Sequence, residues 1–255
     1  YGLLEPVRDE QKWNVRGANV EWWQGGQKIL TLAPLSQDSN FVYVGTLPQL
    51  LKPGEQYEVR VQHPDFPAVR AVQTMPAKFE SDTARVRETG SDPFNTLYQV
   101  DLTIRDQPGV ANYYEISVVS QRYAVVSYYD PITQTIIYDT LGVISYPVYF
   151  EDFLDRNTVV GSGNTALISD QLFDGQQYKF QAKFSPSYYS SNDSVPYTVQ
   201  IRNITKDYYQ WSRSYYQRYE NEYEIFAEPT PVLNNLENGL GVFGLATQKV
   251  YKAKR

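Results

Sequence analysis

The stretch Tyr98-Gln99-Val100-Asp101-Leu102-Thr103-Ile104 decides the fold, because apolar and polar side chains alternate along it residue by residue. Such alternation is typical of a β-strand with one face buried and the other in contact with water. The same alternation returns at 176–184, where tyrosine, phenylalanine and alanine alternate with glutamine and lysine. Strands of this kind predict antiparallel sheets rather than a parallel sheet buried between helices.

Shorter alternations occur elsewhere in the chain, and turn-forming residues separate them. Gly25-Gly26, Pro53-Gly54 and Asp174-Gly175 are pairs that are typical of tight connections. The chain is therefore predicted to be mostly β, with antiparallel strands joined by short connections. The additional strands are expected around 18–22, 41–44, 57–61 and 114–118.

One segment departs from the alternating pattern and predicts a helix. Steps of 4, 3, 4 and 4 residues place five side chains on one helical stripe: Ile204, Tyr208, Trp211, Tyr215 and Tyr219. The spacing predicts one main α-helix at about 205–222, with this stripe as its buried face. A second, short helix is expected at 153–157.

A domain boundary is predicted near Met75-Pro76. The sequence before it has five or six short candidate strands with Pro and Gly turns, which is the size of a small sandwich. We therefore assign residues 1–76 to a small N-terminal Ig-like or carboxypeptidase-regulatory-like β-sandwich. Residues 77–255 are assigned to a larger antiparallel β-domain that carries the helix.

Composition and charge exclude several classes of protein. The chain of 255 residues has 23 basic and 29 acidic side chains and a net charge of −6. A nucleic-acid binder needs a basic surface, so we expect no nucleic-acid partner. The chain has no Cys and one His, which removes disulfides, thiolate chemistry and multi-His metal sites. We expect no cofactor and no metal.

Several local strings, in a fixed order, resemble those of one family. The most specific is the C-terminal string at 234–244 (NNLENGLGVFG), in which asparagine and glycine recur. Together the strings, which span most of the chain, resemble the DUF4249 family of Bacteroidota cell-envelope lipoproteins. The other strings lie at 17–20, 51–59, 74–76, 106–114, 169–175, 207–211 and 226–229.

The resemblance implies a lipid-anchored outer-membrane protein, often encoded beside TonB-dependent receptors, and it carries over no catalytic residue. Family members normally begin with a lipoprotein signal and an acylated Cys, whereas this chain has no Cys. They usually also have a strand-forming stretch ahead of the 17–20 string, where this chain has residues 1–16. We therefore expect that residues carrying the lipid anchor precede Tyr1, and that the first sheet lacks an edge strand.

Two motifs resemble catalytic or cofactor-binding patterns, and a structural interpretation is favoured for both. The segment 239–244 (GLGVFG) has the glycine spacing of a dinucleotide-binding loop, but Pro- and Asn-rich sequence precedes it where a strand is required. We interpret it as a glycine-permitted turn that packs Phe243 against the core. His63 and Asp65 could form a catalytic pair, yet their place beside Pro64 favours a turn.

Clustered carboxylates could act as the paired acids of a glycoside hydrolase or as cation ligands. Acidic residues cluster at 151–155 and at 220–224, where solvated faces are the favoured interpretation. Asp170 and Asp174, with Asn164 nearby, offer oxygen ligands suited to calcium, whereas a β-turn explains the Asp and Gly positions more simply.

The 23 tyrosines are the most unusual feature of the composition. Those at strand or helix period are expected in the core or on sheet faces, namely Tyr98, Tyr114, Tyr178, Tyr208, Tyr215 and Tyr219. Two pairs, Tyr128-Tyr129 and Tyr188-Tyr189, lie in loop-like sequence, where binding of a ligand or partner and ordinary packing are equally compatible.

Adjacent tryptophans add one more candidate binding residue. Trp22 and Trp23 point to opposite faces if they lie on a strand, since successive side chains alternate. One of them, for which we nominate Trp23, is then exposed or covered by a partner.

These observations predict a non-enzymatic cell-envelope lipoprotein at the outer membrane. We expect an accessory or substrate-capturing subunit of an outer-membrane β-barrel complex, above all a TonB-dependent uptake system. Two alternatives stay open: a subunit of outer-membrane protein assembly or secretion machinery, and a free-standing glycan- or peptide-binding module. A hydrolase that uses Glu151 or Asp155 is the least favoured hypothesis.

Overall fold

The structure, a computed structural model, describes residues 17–35, 42–91, 96–155, 159–160, 163–185, 197–221 and 231–253. This part of the chain is mostly β, with antiparallel sheets and a single α-helix, which confirms the predicted fold class. The elements are β1 Asn19–Gln24, β2 Gln27–Pro34, β3 Tyr43–Val44, β4 Gln56–His63, β5 Phe66–Thr74, β6 Glu80–Ser81, β7 Arg85–Ser91, β8 Thr96–Arg105, β9 Tyr113–Asp130, β10 Thr135–Pro147, β11 Tyr149–Phe153, β12 Val159–Val160, β13 Thr165–Ser169, β14 Gln177–Ser185, β15 Tyr197–Ile204, α1 Lys206–Asn221 and β16 Ala246–Ala253.

The chain divides into two compact units. The first contains Tyr1–Met75 and Leu233–Leu245, and the second contains Pro76–Val232 and Ala246–Arg255. The predicted second domain, residues 77–255, includes the segment 233–245, which the structure assigns to the first unit. The reason is packing, since Phe243 and Leu245 lie in the core of that unit.

The first unit is built on a five-stranded antiparallel sheet in the order β3-β2-β1-β4-β5. Tyr57 is buried in its core, and its hydroxyl accepts a hydrogen bond from the backbone N–H of Lys52 at 2.8 Å. Phe243 meets Trp22 edge-on, with 5.5 Å between ring centroids. Segment 233–245 therefore contributes buried side chains to the core of the first unit.

The second unit contains two antiparallel sheets that share one core. The larger has the order β12-β13-β9-β15-β16, with β10 also paired to β9, and the other has the order β11-β14-β8-β6, with β7 also paired to β8. The predicted alternation is confirmed on β8 and β14, where every second side chain is buried, with the exception of Gln99, which lies on the polar face of β8 and is buried as well. The ring centroids of Tyr98 of β8 and Tyr197 of β15 in the facing sheet are 5.4 Å apart, so the two sheets pack against each other as a sandwich.

Helix α1 confirms the predicted span but not the predicted buried face. Tyr209 and Ser212 are buried, and the Tyr209 ring packs 4.9 Å from Tyr113 of β9. Tyr215 is 49% exposed, so its predicted place in the core is wrong. Two pairs of adjacent tyrosines, at 208–209 and 215–216, give both the predicted stripe and the neighbouring stripe aromatic rings. The buried stripe is the one that includes Tyr209 and Ser212, with Tyr216 packed against the same cluster.

Two further observations concern helices. The short helix predicted at 153–157 is wrong over its described residues, because Phe153 ends β11 and pairs with Ala182 of β14. Within the described residues, α1 is not of the length and apolarity that a helix needs in order to cross a lipid bilayer.

Candidate functional site

The most distinctive feature of the second unit is a long hairpin formed by β9 and β10. β9 pairs with β15 as far as Ser120, which lies opposite Tyr197. Among the described strands, only β10 pairs with β9 from Gln121 to Asp130. These ten residues extend about 33 Å at the usual rise of a strand. We call residues 121–145 the arm.

The arm is apolar at its tip. Tyr129 is 62% exposed, Ile132 in the turn is 90% exposed, and Ile136 is 58% exposed. Tyr129 and Ile136 lie directly opposite each other on the two strands, so their side chains share one face. Exposed apolar side chains grouped on a two-stranded ribbon make the tip of the arm a candidate docking surface.

Hydrogen bonds fix the turn that carries this patch. The Asp130 carboxylate accepts bonds from the backbone N–H of Ile132 at 2.9 Å and from the hydroxyl of Thr133 at 2.7 Å. These donors lower the pKa of Asp130, since they favour its charged form. The tip is therefore pre-organised, which reduces the entropy that is lost when a partner binds.

The structure places the predicted binding residues in different environments. Tyr128 and Tyr129 lie on strand β9 near the tip of the arm rather than in the predicted loop, and both are at least 49% exposed. Trp23 lies on β1 of the first unit, where the guanidinium of Arg60 sits 3.9 Å from the centre of its ring. The Trp23 indole N–H also donates to Glu21 at 3.0 Å, so this side chain already has partners within its own unit. Tyr188 and Tyr189 lie outside the described residues.

A second candidate site joins two of the family-like strings in the second unit. Asp106 Oδ1 accepts hydrogen bonds from the Tyr114 hydroxyl at 2.7 Å and from Asn112 Nδ2 at 3.1 Å. Its Oδ2 accepts a bond from the backbone N–H of Gly175 at 2.9 Å. Asp170, in turn, accepts a bond from the Asn112 backbone N–H at 2.5 Å. We call these residues, with Asp174, the carboxylate junction.

The carboxylate junction has the composition of a cation site. One oxygen each from Asp106, Asp170 and Asp174 lies within 4.8 Å of the others, and burial and the two neighbouring carboxylates raise the pKa of Asp170. However, each carboxylate already accepts a bond from the protein, including the Gly109 backbone N–H bond to Asp174 at 2.7 Å. Asn164 does not join this group, because it precedes β13 whereas Asp170 follows that strand, about 17 Å away.

The other candidate catalytic residues lie in a turn of the first unit and on or just after strand β11 of the second. The backbone N–H of Asp65 donates to His63 Nδ1 at 3.1 Å within the turn between β4 and β5, which supports the turn interpretation. Asp155 accepts a bond from the Tyr178 hydroxyl at 3.1 Å. Glu151 lies on β11 and is exposed. In the acidic cluster at 220–224, residues 222 and 224 lie outside the described residues.

The glycine-rich string forms a loop of the first unit rather than a nucleotide-binding turn. Asn235 holds it closed, because its Oδ1 accepts from the Phe243 N–H at 2.8 Å and its Nδ2 donates to the Phe243 carbonyl at 2.9 Å. A strand, β16, follows the loop where a dinucleotide fold has a helix. Phe243 is buried, so the predicted structural role is confirmed.

We expect Asn235→Ala to lower the free energy of unfolding of the protein by about 2 kcal/mol, since two backbone groups of Phe243 lose their partner. Leu240→Ala in the same loop is the control, because Leu240 is 94% exposed. Urea unfolding followed by tryptophan fluorescence measures both variants. Equal midpoints for Asn235→Ala and the unsubstituted protein would show that the loop is held in another way.

A buried carboxylate lies beneath α1 on the larger sheet. Glu115 of β9 is 5% exposed, and its Oε1 accepts a bond from Arg202 of β15 at 2.6 Å. Its Oε2 is buried without a partner among the described residues. Burial raises the pKa of Glu115 above its ordinary value, although Arg202 acts in the opposite direction. The carboxylate is therefore costly to the fold when it is charged.

The sign of this cost predicts a pH dependence. A raised pKa in the folded state stabilises the fold below the unfolded pKa, and this contribution is lost as the pH rises through the folded pKa. Glutamine at position 115 does not ionise, so Glu115→Gln should not show this loss. Between pH 4 and neutrality, its free energy of unfolding should therefore rise by about 1 kcal/mol relative to that of the unsubstituted protein. Urea midpoints measured across this range test the gain, with the exposed Glu88→Gln as the control. A gain that falls as the pH rises would contradict the assignment.

Sequence reasoning missed the residues that hold these sites together. The string at 106–114 carries part of the family resemblance, but nothing in it indicates that Asp106 accepts three hydrogen bonds. Asn203 is 1% exposed and donates to Asn112 Oδ1 at 2.9 Å, across 91 positions of sequence. An asparagine inside an alternating apolar strand was the available signal, because a buried amide needs partners.

Comparison with known protein families identifies a family for this chain. A family model described as "Domain of unknown function (DUF4249)" matches residues 4–252. No curated protein matches the chain.

Proposed function

The chain belongs to the DUF4249 family, and we propose on that premise that it is a non-enzymatic, lipid-anchored subunit of an outer-membrane β-barrel complex. In this proposal it acts as an accessory or substrate-capturing subunit of a TonB-dependent uptake system at the cell surface. The β-barrel is the partner, and the lipid anchor holds the protein at the membrane.

The observation that carries this proposal is the arm. Its tip exposes Tyr129, Ile132 and Ile136 by more than half, and its turn is fixed by Asp130. Protein interfaces are enriched in tyrosine and depleted in charge at their centres, and pre-organised aromatic anchors contribute most of the binding energy. Exposed apolar side chains on a ribbon with a fixed turn are therefore better suited to contact with a protein partner than to contact with water.

The carboxyl groups support a binding role over a catalytic one. Asp106 and Asp170 accept bonds from neighbouring strands and turns, and Asp155 accepts one from Tyr178. A catalytic acid or base must reach the substrate proton, whereas these groups fix protein donors. Their contacts are those of residues that hold a scaffold.

Co-purification tests the proposal. The tagged protein is extracted from its native outer membranes in mild detergent, and the complex is separated by size. We expect a β-barrel protein to elute with it in a fixed ratio. A TonB-dependent receptor supports the uptake role, and an assembly or secretion barrel supports the alternative role. Elution as a free monomer that binds glycans would contradict the subunit proposal and favour the binding-module alternative.

A further inference from the structure

The outer edge of β10 is a long strand edge with no described partner. β10 runs from Thr135 to Pro147 and pairs with β9 along one side. No strand in the described part of the chain pairs with its other side. Its backbone N–H and C=O groups on that side can accept another strand, because every second residue of an edge strand directs both groups outward.

This edge has few of the features that protect strand edges from pairing. Natural edge strands are short, or carry lysine, proline or an inward charge. β10 has 13 residues, TIIYDTLGVISYP, with Asp139 as its one charge and proline only at its last position. One irregularity, between Thr140 and Gly142, interrupts the pairing with β9. A monomer gains nothing from such an edge, whereas a subunit of a complex can use it to bind.

We propose that the outer edge of β10 binds an extended strand of the partner protein, so that the partner extends the β9–β10 ribbon by β-strand addition. This inference rests on the proposed function, since it specifies how the arm contacts its partner. The proposed contact is a neutral, β-branched or aromatic segment, because the sequence of β10 has only one charged residue.

The edge is long enough for an extended ladder of hydrogen bonds. The eleven residues from Thr135 to Ser145 extend about 37 Å at the usual rise of an antiparallel strand. Strands in globular proteins usually have about five or six residues, so a strand added along this length would form a longer ladder than most.

The position of the irregularity favours a different protein over a second copy of this chain. It lies at the middle of β10, between Thr140 and Gly142. A symmetric antiparallel pair formed by two copies of β10 along their full length would place the two irregularities opposite each other. Both ladders would then be interrupted at the centre, where a strand pair needs continuous hydrogen bonds.

Neighbouring proline substitutions test strand addition. Ile144 and Ser145, which lie outside the tip patch, direct their N–H groups to opposite sides of β10, so one of Ile144→Pro and Ser145→Pro removes an outward donor and leaves the pairing with β9 intact. We expect that variant to keep the melting temperature of the unsubstituted protein and to recover at least about tenfold less partner from native membranes. Alanine at the same position, which keeps the N–H, is the matched control and should recover the partner.

Hydrogen exchange supplies a second measurement that does not depend on the proline variants folding. In the purified native complex, exchange of alternate β10 amides should slow relative to the free protein. A fold-retaining proline variant with undiminished recovery, or unchanged β10 exchange in the complex, would overturn strand addition while leaving the subunit role intact. Recovery of only a second copy of this chain would overturn the choice of partner. Absence of any partner would overturn both proposals.

Discussion

Replacing Asp106 by alanine is expected to lower the free energy of unfolding of the protein by about 4 kcal/mol, a large part of the stability of an ordinary domain. The Asp106 carboxylate accepts bonds from Tyr114, Asn112 and Gly175, all in the second unit. Each buried donor left without a partner costs about 1–3 kcal/mol, and water entering the site offsets part of the sum. Urea unfolding followed by circular dichroism measures the loss.

A matched variant separates the role of Asp106 from a general effect of removing negative charge. Asp174 belongs to the same acidic group but is exposed, and its carboxylate accepts a hydrogen bond from the Gly109 backbone N–H. Asp174→Ala should therefore cost less than about 1 kcal/mol. If both alanine variants unfold at the same urea concentration, the carboxylate junction does not hold the turns together as described.

Substitution of the tip of the arm is expected to abolish partner binding while leaving the fold unchanged. The triple variant Tyr129→Thr, Ile132→Thr and Ile136→Thr removes three exposed apolar side chains and keeps a residue type that is favoured in strands. Central anchors of an interface each contribute 1–2 kcal/mol or more, so the affinity should fall by at least about 100-fold. Quantitative pull-down of the barrel protein from native membranes measures the loss.

The control for the arm variant is an equal number of apolar residues at other exposed positions. Leu50, Leu172 and Leu240 are each at least 70% exposed. Threonine at all three should leave partner recovery unchanged. Equal loss of the partner in both triple variants would indicate a non-specific effect of surface apolarity, and the arm would then have no special role.

Much of the fold could be predicted from local sequence because sheet burial has a period of two residues. The alternation around Val100 and Phe180 predicted strands whose buried faces the structure confirms. The helix span was also predictable, since the period changes after Ile204. Its buried face was not, because tyrosines occupy neighbouring positions, and the structure buries Tyr209 and Ser212 while Tyr215 is exposed.

Long-range polar contacts could not be predicted from sequence. Asp106 and Gly175 are separated by 69 positions, and each on its own reads as an ordinary turn residue. Membership of residues 233–245 in the first unit also depends on tertiary packing, because a linear boundary assigns this segment by its neighbours in the chain. Hydrophobic patterning describes which face of an element is buried, but not which distant element covers it.

The arm could be predicted in part. Tyr128 and Tyr129 were predicted from composition as a possible interface, and they lie on the arm. The length of the arm could not be predicted, since it depends on β15 pairing with β9 only as far as Ser120. A hairpin sequence predicts two paired strands, but it does not predict where the other strands of the sheet stop pairing with them.

Site-specific cross-linking tests the central claim, that the arm binds an outer-membrane partner. The chain contains no Cys, so a single introduced thiol is unique within it. Ile132→Cys places a thiol at the tip of the arm, and Leu50→Cys provides an equally accessible control, at 90% and 91% exposure of the original side chains. With a short thiol-to-amine cross-linker in native membranes, Ile132→Cys should join a β-barrel protein and Leu50→Cys should not. Ile132→Cys that stays a free monomer, or equal adducts from both variants, would contradict the account.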